Sequence, residues 1–272
     1  MPHPAESAGY IWPPARKLDD VARTVAHQWG LTLGARYPWA RYSFAAPAGD
    51  AVLKVSPPED DEADHEADAL AAWNGDGAVR LLRHDRARRA MLIERAVPGY
   101  DATQIPDDEA IAVAMEVGRR LWRPVESGPF RRAHDEVARW LANVAPTGHR
   151  YVAIAQRVFA GIEPREHVLV HGDYHHYNLL RHGARWVAID PKPLLGEPEF
   201  DVVTLLWNPV GLVPTSPLIE RRIRAFVDGG LDERRIRDWA AVRGVYLGLP
   251  LDPGEDEATA RQLSVVRHVL GA

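Results

Sequence analysis

Element order along this 272-residue chain predicts an α+β fold in two lobes. Short β-branched runs separated by turn residues dominate up to Arg95, and beyond Pro98-Gly99 the apolar spacing becomes helical. A second group of short strands, inside His167–Asp201, interrupts those helices. With 46% hydrophobic residues the chain can fill a sizeable core, and the break sets an expected boundary between 1–97 and 98–272.

In order, residues 18–30 predict a helix with Val21, Val25 and Trp29 on one face and Gly30 as its stop. Strands are expected at 31–37, 41–46 and 50–55, the last carrying Val52-Leu53-Lys54-Val55. Pro57-Pro58 then breaks the chain before an acidic helix on which Ala63, Glu66, Leu70 and Trp73 share a face. A carboxylate on that apolar stripe needs a cation, because a buried unpaired charge is costly. Val79–Leu82 and Met91–Arg95 read as two more strands. A helix follows from Pro106-Asp107 to Trp122 with Asp107 as its cap, then helices at 130–142 and 148–161. After Asp201, helices are expected at 202–207, 216–228, 232–246 and 255–269.

Composition removes several function classes. The formal net charge of −5 argues against a general nucleic-acid binder. The absence of cysteine excludes disulfides and thiolate metal sites. Neither a signal-peptide core nor a stretch near the ~20 apolar residues of a membrane helix is seen, so a cytoplasmic protein without membrane contact is expected. Only Lys17, Lys54 and Lys192 are lysines among 33 basic residues, which suggests that a compact point charge matters where Lys is kept.

The stretch HVLVHGDYHHYNLLRHGARWVAIDPKPLLGEPEFD organises the rest. Val168–Val170 runs into His171-Gly172-Asp173, Asn178 follows five residues after that aspartate, and Trp186–Ile189 ends in Asp190. Two carboxylates and a carboxamide are thereby expected at one end of a small hairpin-like unit. Phosphoryl transfer needs that set: one carboxylate for a hydroxyl and its proton, and hard oxygen donors for Mg²⁺. Turn formation alone also explains Asp and Asn after strands. His171, His175, His176 and His182 lie in an expected loop rather than on a rigid element, which argues against zinc.

The Asp-x₄-Asn spacing followed by another Asp equals that of the protein-kinase catalytic loop. Gly172 and Asp190-Pro191-Lys192 depart from the protein-kinase motifs, and they make the stretch resemble the aminoglycoside phosphotransferase family. Within it, Ala188–Pro191 and Gly196–Asp201 look like the streptomycin and hydroxyurea kinase branch. The resemblance runs from about residue 30 onward and implies a protein-kinase-like fold, with a β-rich nucleotide lobe and a mostly helical catalytic lobe.

It also implies roles. Asp173 becomes the catalytic base, and Asn178 and Asp190 the Mg²⁺ ligands. Lys54 would meet the nucleotide phosphates, held by Glu66 or its competitor Glu62. Glu94 and Ala96 occupy the adenine hinge by position alone. The glycine-free segment Tyr37–Ser43 takes the place of the phosphate loop, with Ser43 as its contact. Asp201 would support the catalytic loop. ATP or GTP with Mg²⁺ is the implied cofactor, and a small-molecule hydroxyl, streptomycin-like above all, the implied acceptor, on a monomer or weak dimer. A sugar or amino-alcohol kinase, and a catalytically silent nucleotide-binding protein, remain the alternatives. Asp252, Glu255, Asp256 and Glu257 offer either an acidic acceptor patch or a plain helix N-terminus.

Overall fold

A computed structural model describes residues 15–40, 42–125, 128–165, 168–249 and 260–271. Helix α1 (Ala15–Trp29) buries Leu18, Ala22, Val25 and Ala26 and stops at Gly30, whose φ is +68°. It covers a four-stranded antiparallel sheet of β1 (Phe44–Ala48), β2 (Ala51–Val55), β3 (Leu81–Asp85) and β4 (Ala90–Glu94), in the order β1-β2-β4-β3. In its register Ala45, Lys54 and Met91 form one row.

The strand expected at 31–37 does not form. That segment runs beside β1 through Gly34 N–H to the Pro47 carbonyl (2.8 Å) and Tyr37 N–H to the Ala45 carbonyl (2.9 Å). Pro47 has no N–H to return, so the ladder cannot continue. Its ring sits 2.8 Å from where a Cβ on Gly34 would lie.

Helix α2 (Glu66–Trp73) follows a one-turn 3₁₀ helix at Asp61–Ala63. Ala63, Glu66, Leu70 and Trp73 are all buried, as their spacing requires. The Trp73 indole N–H donates to the Leu121 carbonyl at 3.0 Å and pins this helix to the second lobe.

The second lobe opens with β5 (Pro98–Asp101) and α3 (Asp107–Leu121). Pro106, not Asp107, occupies the cap; the Asp107 carboxylate is drawn instead into ion pairs with Arg221 (2.8 Å) and the buried Arg222. Then come β6 (Arg131–Arg132), α4 (Ala133–Val144), α5 (Arg150–Ala160), β7 (Val168–Val170), β8 (Leu179–His182), β9 (Arg185–Ala188) and β10 (Leu194–Gly196). Helices α6 (Pro198–Val202), α7 (Ser216–Asp228), α8 (Glu233–Gly248) and α9 (Arg261–Val269) complete the lobe.

The expected hairpin-like unit is divided between two sheets. β8 and β9 join β5, whereas β7 pairs with β10, which lies next to β6. β10 has three residues between prolines, too few to show a period. The helix expected at 202–207 begins instead at Pro198, whose fixed φ suits a first helical turn. The helix expected at 255–269 covers Arg261–Val269, and the acidic residues 252–257 lie outside the described residues. Leu169, Val170, Leu179, Val187 and Phe200 sit fully buried beneath the loops that carry the polar motifs.

The lobes also share main-chain bonds. Val79 N–H donates to the Ala188 carbonyl (3.0 Å), and Ala188 N–H donates to the Gly77 carbonyl (2.8 Å). Among the described residues, no helix is long and apolar enough to cross a membrane.

Candidate active site

Lys54 lies on β2, an inner strand of the four-stranded sheet, and its ammonium donates to both carboxylate oxygens of Glu66 at 2.7 Å each. Its third bond goes to Asp190 Oδ1 at 2.5 Å. Glu66 is 1% exposed, so the pair is desolvated as well as close. Burial pushes the Glu66 carboxyl up to about 7; Lys54 pulls it back, and the Asp190 charge adds to the rise. Burial works against the Lys54 charge too, but Asp190 and Glu66 outweigh it and raise its pKa. Glu66 rather than Glu62 is therefore the partner of Lys54.

Asp190 follows β9 with φ of +58°, in the left-handed region that aspartate tolerates better than most residues. Burial pushes its carboxyl upward, but Lys54 and Lys192 hold it well below the usual range. Ile189 N–H donates to the Asn178 carbonyl at 3.0 Å, so the two motifs move as one.

Main-chain clamps hold the His171–Asp173 turn. Asp201 accepts from His171 N–H (2.7 Å) and Gly172 N–H (2.8 Å), and also from the Trp122 indole (2.9 Å). Arg243 donates to the carbonyls of Gly172 and Phe200, at 2.7 Å each. His171 Nδ1 accepts from Asp173 N–H at 3.3 Å, which leaves Nε2–H to donate to the Ile189 carbonyl at 2.9 Å. Burial lowers the pKa of His171 and fits that neutral form. Gly172 has φ of +80°, and a Cβ there would lie 1.9 Å from the Lys192 carbonyl oxygen. That approach explains glycine where protein kinases carry arginine.

The Asp173 carboxylate is 40% exposed, with His175 Nε2 at 3.4 Å. Burial pushes it upward, but the neighbouring His175 and the Lys192 charge hold it well below the usual carboxylate range. It is thus an anion able to accept a hydrogen bond from a hydroxyl. Asn178 turns its amide nitrogen to the Asp173 carbonyl (2.9 Å), so its amide oxygen is left for another partner. With the Asp190 carboxylate this makes the hard-oxygen donor set that Mg²⁺ takes. The residues present fit a Mg-nucleotide.

The Glu94 carboxylate turns to the β8–β9 hairpin, accepting from His182 Nε2 (3.1 Å) and Arg185 Nη2 (3.3 Å). Ala96 packs on the large core to which both lobes contribute. Val97 N–H donates to His182 Nδ1 at 3.2 Å, so His182 grips the hinge on both sides. Ser43 stands one residue before β1, its carbonyl held by Arg36 Nη2 at 2.9 Å. The same guanidinium reaches the Ala40 carbonyl at 3.0 Å, so one arginine shapes the glycine-free loop. Sequence reasoning weighed His175 only as a zinc ligand, and it overlooked Arg36 and Arg243. His175 was visible two residues from Asp173, whereas nothing local marks Arg243, which sits on a helix 71 residues beyond Gly172.

A β-rich lobe with a strand lysine and helix glutamate, over a helical lobe with clamped Asp and Asn motifs, defines a kinase-like phosphotransferase. Solved structures agree. A choline/ethanolamine kinase family protein from Mesorhizobium loti matches with TM-score 0.61 and 19% identity, covering 92% of this chain and 98% of that one. A thermostable mutant of aminoglycoside phosphotransferase APH(4)-Ia, in complex with ADP and hygromycin B, matches with TM-score 0.60 and 18% identity over 92% and 98%. Among curated proteins, streptomycin 3''-kinase from Klebsiella pneumoniae is 34% identical over 205 residues, 70% of this chain and 75% of its own. Hydroxyurea phosphotransferase from Kitasatospora aureofaciens is 32% identical over 238 residues, 82% of this chain and 68% of its own. The chain belongs to the aminoglycoside/hydroxyurea antibiotic resistance kinases, whose family model matches residues 44–249.

Proposed function

We propose that the enzyme transfers the γ-phosphate of ATP to a hydroxyl of a streptomycin-like aminoglycoside, with residues 1–97 as the nucleotide lobe and 98–272 as the catalytic lobe. The observation that carries this is the meeting of Lys54, Asp190, Asn178 and Asp173 through the bonds described above. In this reading Lys54 contacts the nucleotide phosphates, and the main chain at Glu94 and Ala96 borders the adenine. The Tyr37–Ser43 loop covers the phosphates. Asn178 and Asp190 would hold Mg²⁺, which supplies positive charge against the β- and γ-phosphate oxygens. Asp173 orients the acceptor hydroxyl and takes its proton as the oxygen joins phosphorus and the bridging bond to ADP breaks. Such chemistry belongs where Mg-ATP is abundant, which supports a cytoplasmic setting.

The hydroxyurea phosphotransferase, whose match spans more of this chain than that of the streptomycin 3''-kinase, supports a second acceptor class, an N-hydroxyl. A coupled assay over streptomycin, other aminoglycosides, hydroxyurea and amino alcohols, each with ATP and GTP, separates the readings. Streptomycin-dependent ADP release, with a phosphorylated product by mass spectrometry, is the expected result. Turnover with amino alcohols alone would replace the antibiotic reading with a metabolite kinase. Nucleotide binding without transfer would indicate a silent nucleotide-binding protein.

A further inference from the structure

Lys54 cannot neutralise every phosphate. Its three N–H bonds go to Glu66 Oε1, Glu66 Oε2 and Asp190 Oδ1. Charge also develops on the transferred group, and another cation near Asp173 would meet it. Lys192 has the required placement. Its N–H donates to the His171 carbonyl at 2.7 Å, and its own carbonyl lies against Gly172. Its Cα is therefore fixed to the turn that carries Asp173.

The side chain is held less firmly. Its ammonium faces Asp60 Oδ2 at 3.4 Å, well beyond the ~2.8 Å of a tight charge-assisted bond. Asp60 also accepts from Ala63 N–H through its other oxygen. The Lys192 side chain is 19% exposed, so its flexible stem is not fully enclosed. In a chain that uses arginine almost everywhere, two of its three lysines meet at this site.

We infer that Lys192 is a second catalytic cation, whose ammonium leaves Asp60 and contacts the transferred phosphoryl group once the nucleotide is bound. This rests on the phosphotransferase reading above. The lysine gives up no proton: phosphorus gains the acceptor oxygen and loses the bridging oxygen, and the hydroxyl proton goes to Asp173. Lys192 stabilises charge on the oxygens that are neither entering nor leaving.

The small number of lysines makes the test direct. Protein labelled with ¹⁵N-lysine has three side-chain ammonium signals to follow by NMR, assigned with Lys17→Arg and Lys192→Arg. Mg-ADP should move the Lys54 signal, and a non-hydrolysable Mg-ATP analogue should move Lys192 as well. A Lys192 signal that stays still with the analogue while Lys54 moves overturns the inference and leaves the nucleotide reading intact. If neither moves, both fail. In kinetics, phosphate release from Mg-ATP, to an acceptor or to water, should fall roughly 10²-fold in Lys192→Met with little change in KM for ATP. Asp60→Asn keeps the helix-turn acceptor and should stay near the parent rate. Equal losses in the two variants would reduce Lys192 to a structural ion pair.

Discussion

The Lys54 cluster and the Asp173 turn face one cleft, but different bonds hold them. Lys54, Glu66 and Asp190 come from a strand, a helix and a loop and meet only through their charges. Asp173 sits on a turn whose main chain is bonded to Asp201, Arg243 and His171. The first arrangement can rearrange when phosphates and metal arrive, because each ion has an alternative partner in the nucleotide. The second has no alternative partner, and on the proposed mechanism it keeps Asp173 in place while its surroundings change. Adaptable groups belong at the cofactor, fixed ones at the bond being made.

Removing the main-chain clamp should have the largest effect. Asp201→Ala leaves the N–H groups of His171 and Gly172 and the Trp122 indole without their acceptor. A loss of about 3 kcal/mol or more in denaturant unfolding is expected, together with turnover. If Asp201→Ala unfolds like the parent, the turn is held by something else. Gly172→Ala tests the same turn with less damage. Its methyl would strike the Lys192 carbonyl at positive φ, and a cost of roughly 1–3 kcal/mol is expected.

Asp173→Asn should spare both stability and Mg-ATP affinity, while turnover falls roughly 10²-fold. Loss of affinity alongside turnover would make Asp173 part of the scaffold. In Lys54→Ala the fold should survive but the nucleotide affinity should weaken about tenfold or more, the scale of one bond to a charged group. Unchanged affinity by calorimetry would remove Lys54 from the nucleotide site.

The mildest test uses pH. His176, 2% exposed, has both ring nitrogens without a hydrogen-bond partner, and burial lowers its pKa to about 3. The unfolded chain takes up that proton near 6.5, so stability is full above this value and declines as pH falls towards about 3. The slope is at most about 1.4 kcal/mol per pH unit. His171, also lowered, acts in the same sense. Unfolding midpoints at about pH 7 and about pH 5 should differ less in His176→Phe than in the parent. An equal difference would mean that His176 is not the group titrating.

Much of this was legible in the sequence, for physical reasons. Lys54 and Glu66 were readable because a charge on an apolar helix face requires a counter-ion, and only one strand nearby carries lysine. Asp201 was readable only through the family resemblance, which gives an aspartate at this helix start a supporting role. The 31–37 segment misled because its apolar content suits a strand, whereas Gly34 and Pro47 remove the ladder that a strand needs. Pairing of β7 with β10 was hidden because non-local pairing leaves no mark in a three-residue run. Glu94 was placed by position, and position could not reveal that its side chain would be claimed by His182 and Arg185.

The bonds between Gly77, Val79 and Ala188 have a mechanical consequence. Ala188 is two residues from Asp190, so the first lobe is fastened to the second beside the metal motif. A jaw pivots where it is fastened, and points near the pivot travel least. On the proposed mechanism, opening and closing would move the points farthest from these bonds most. Lys54 and Asp190, close to the fulcrum, would stay within reach of each other throughout the stroke. On the proposed mechanism, the gape that admits an acceptor would thereby be uncoupled from the grip on the nucleotide.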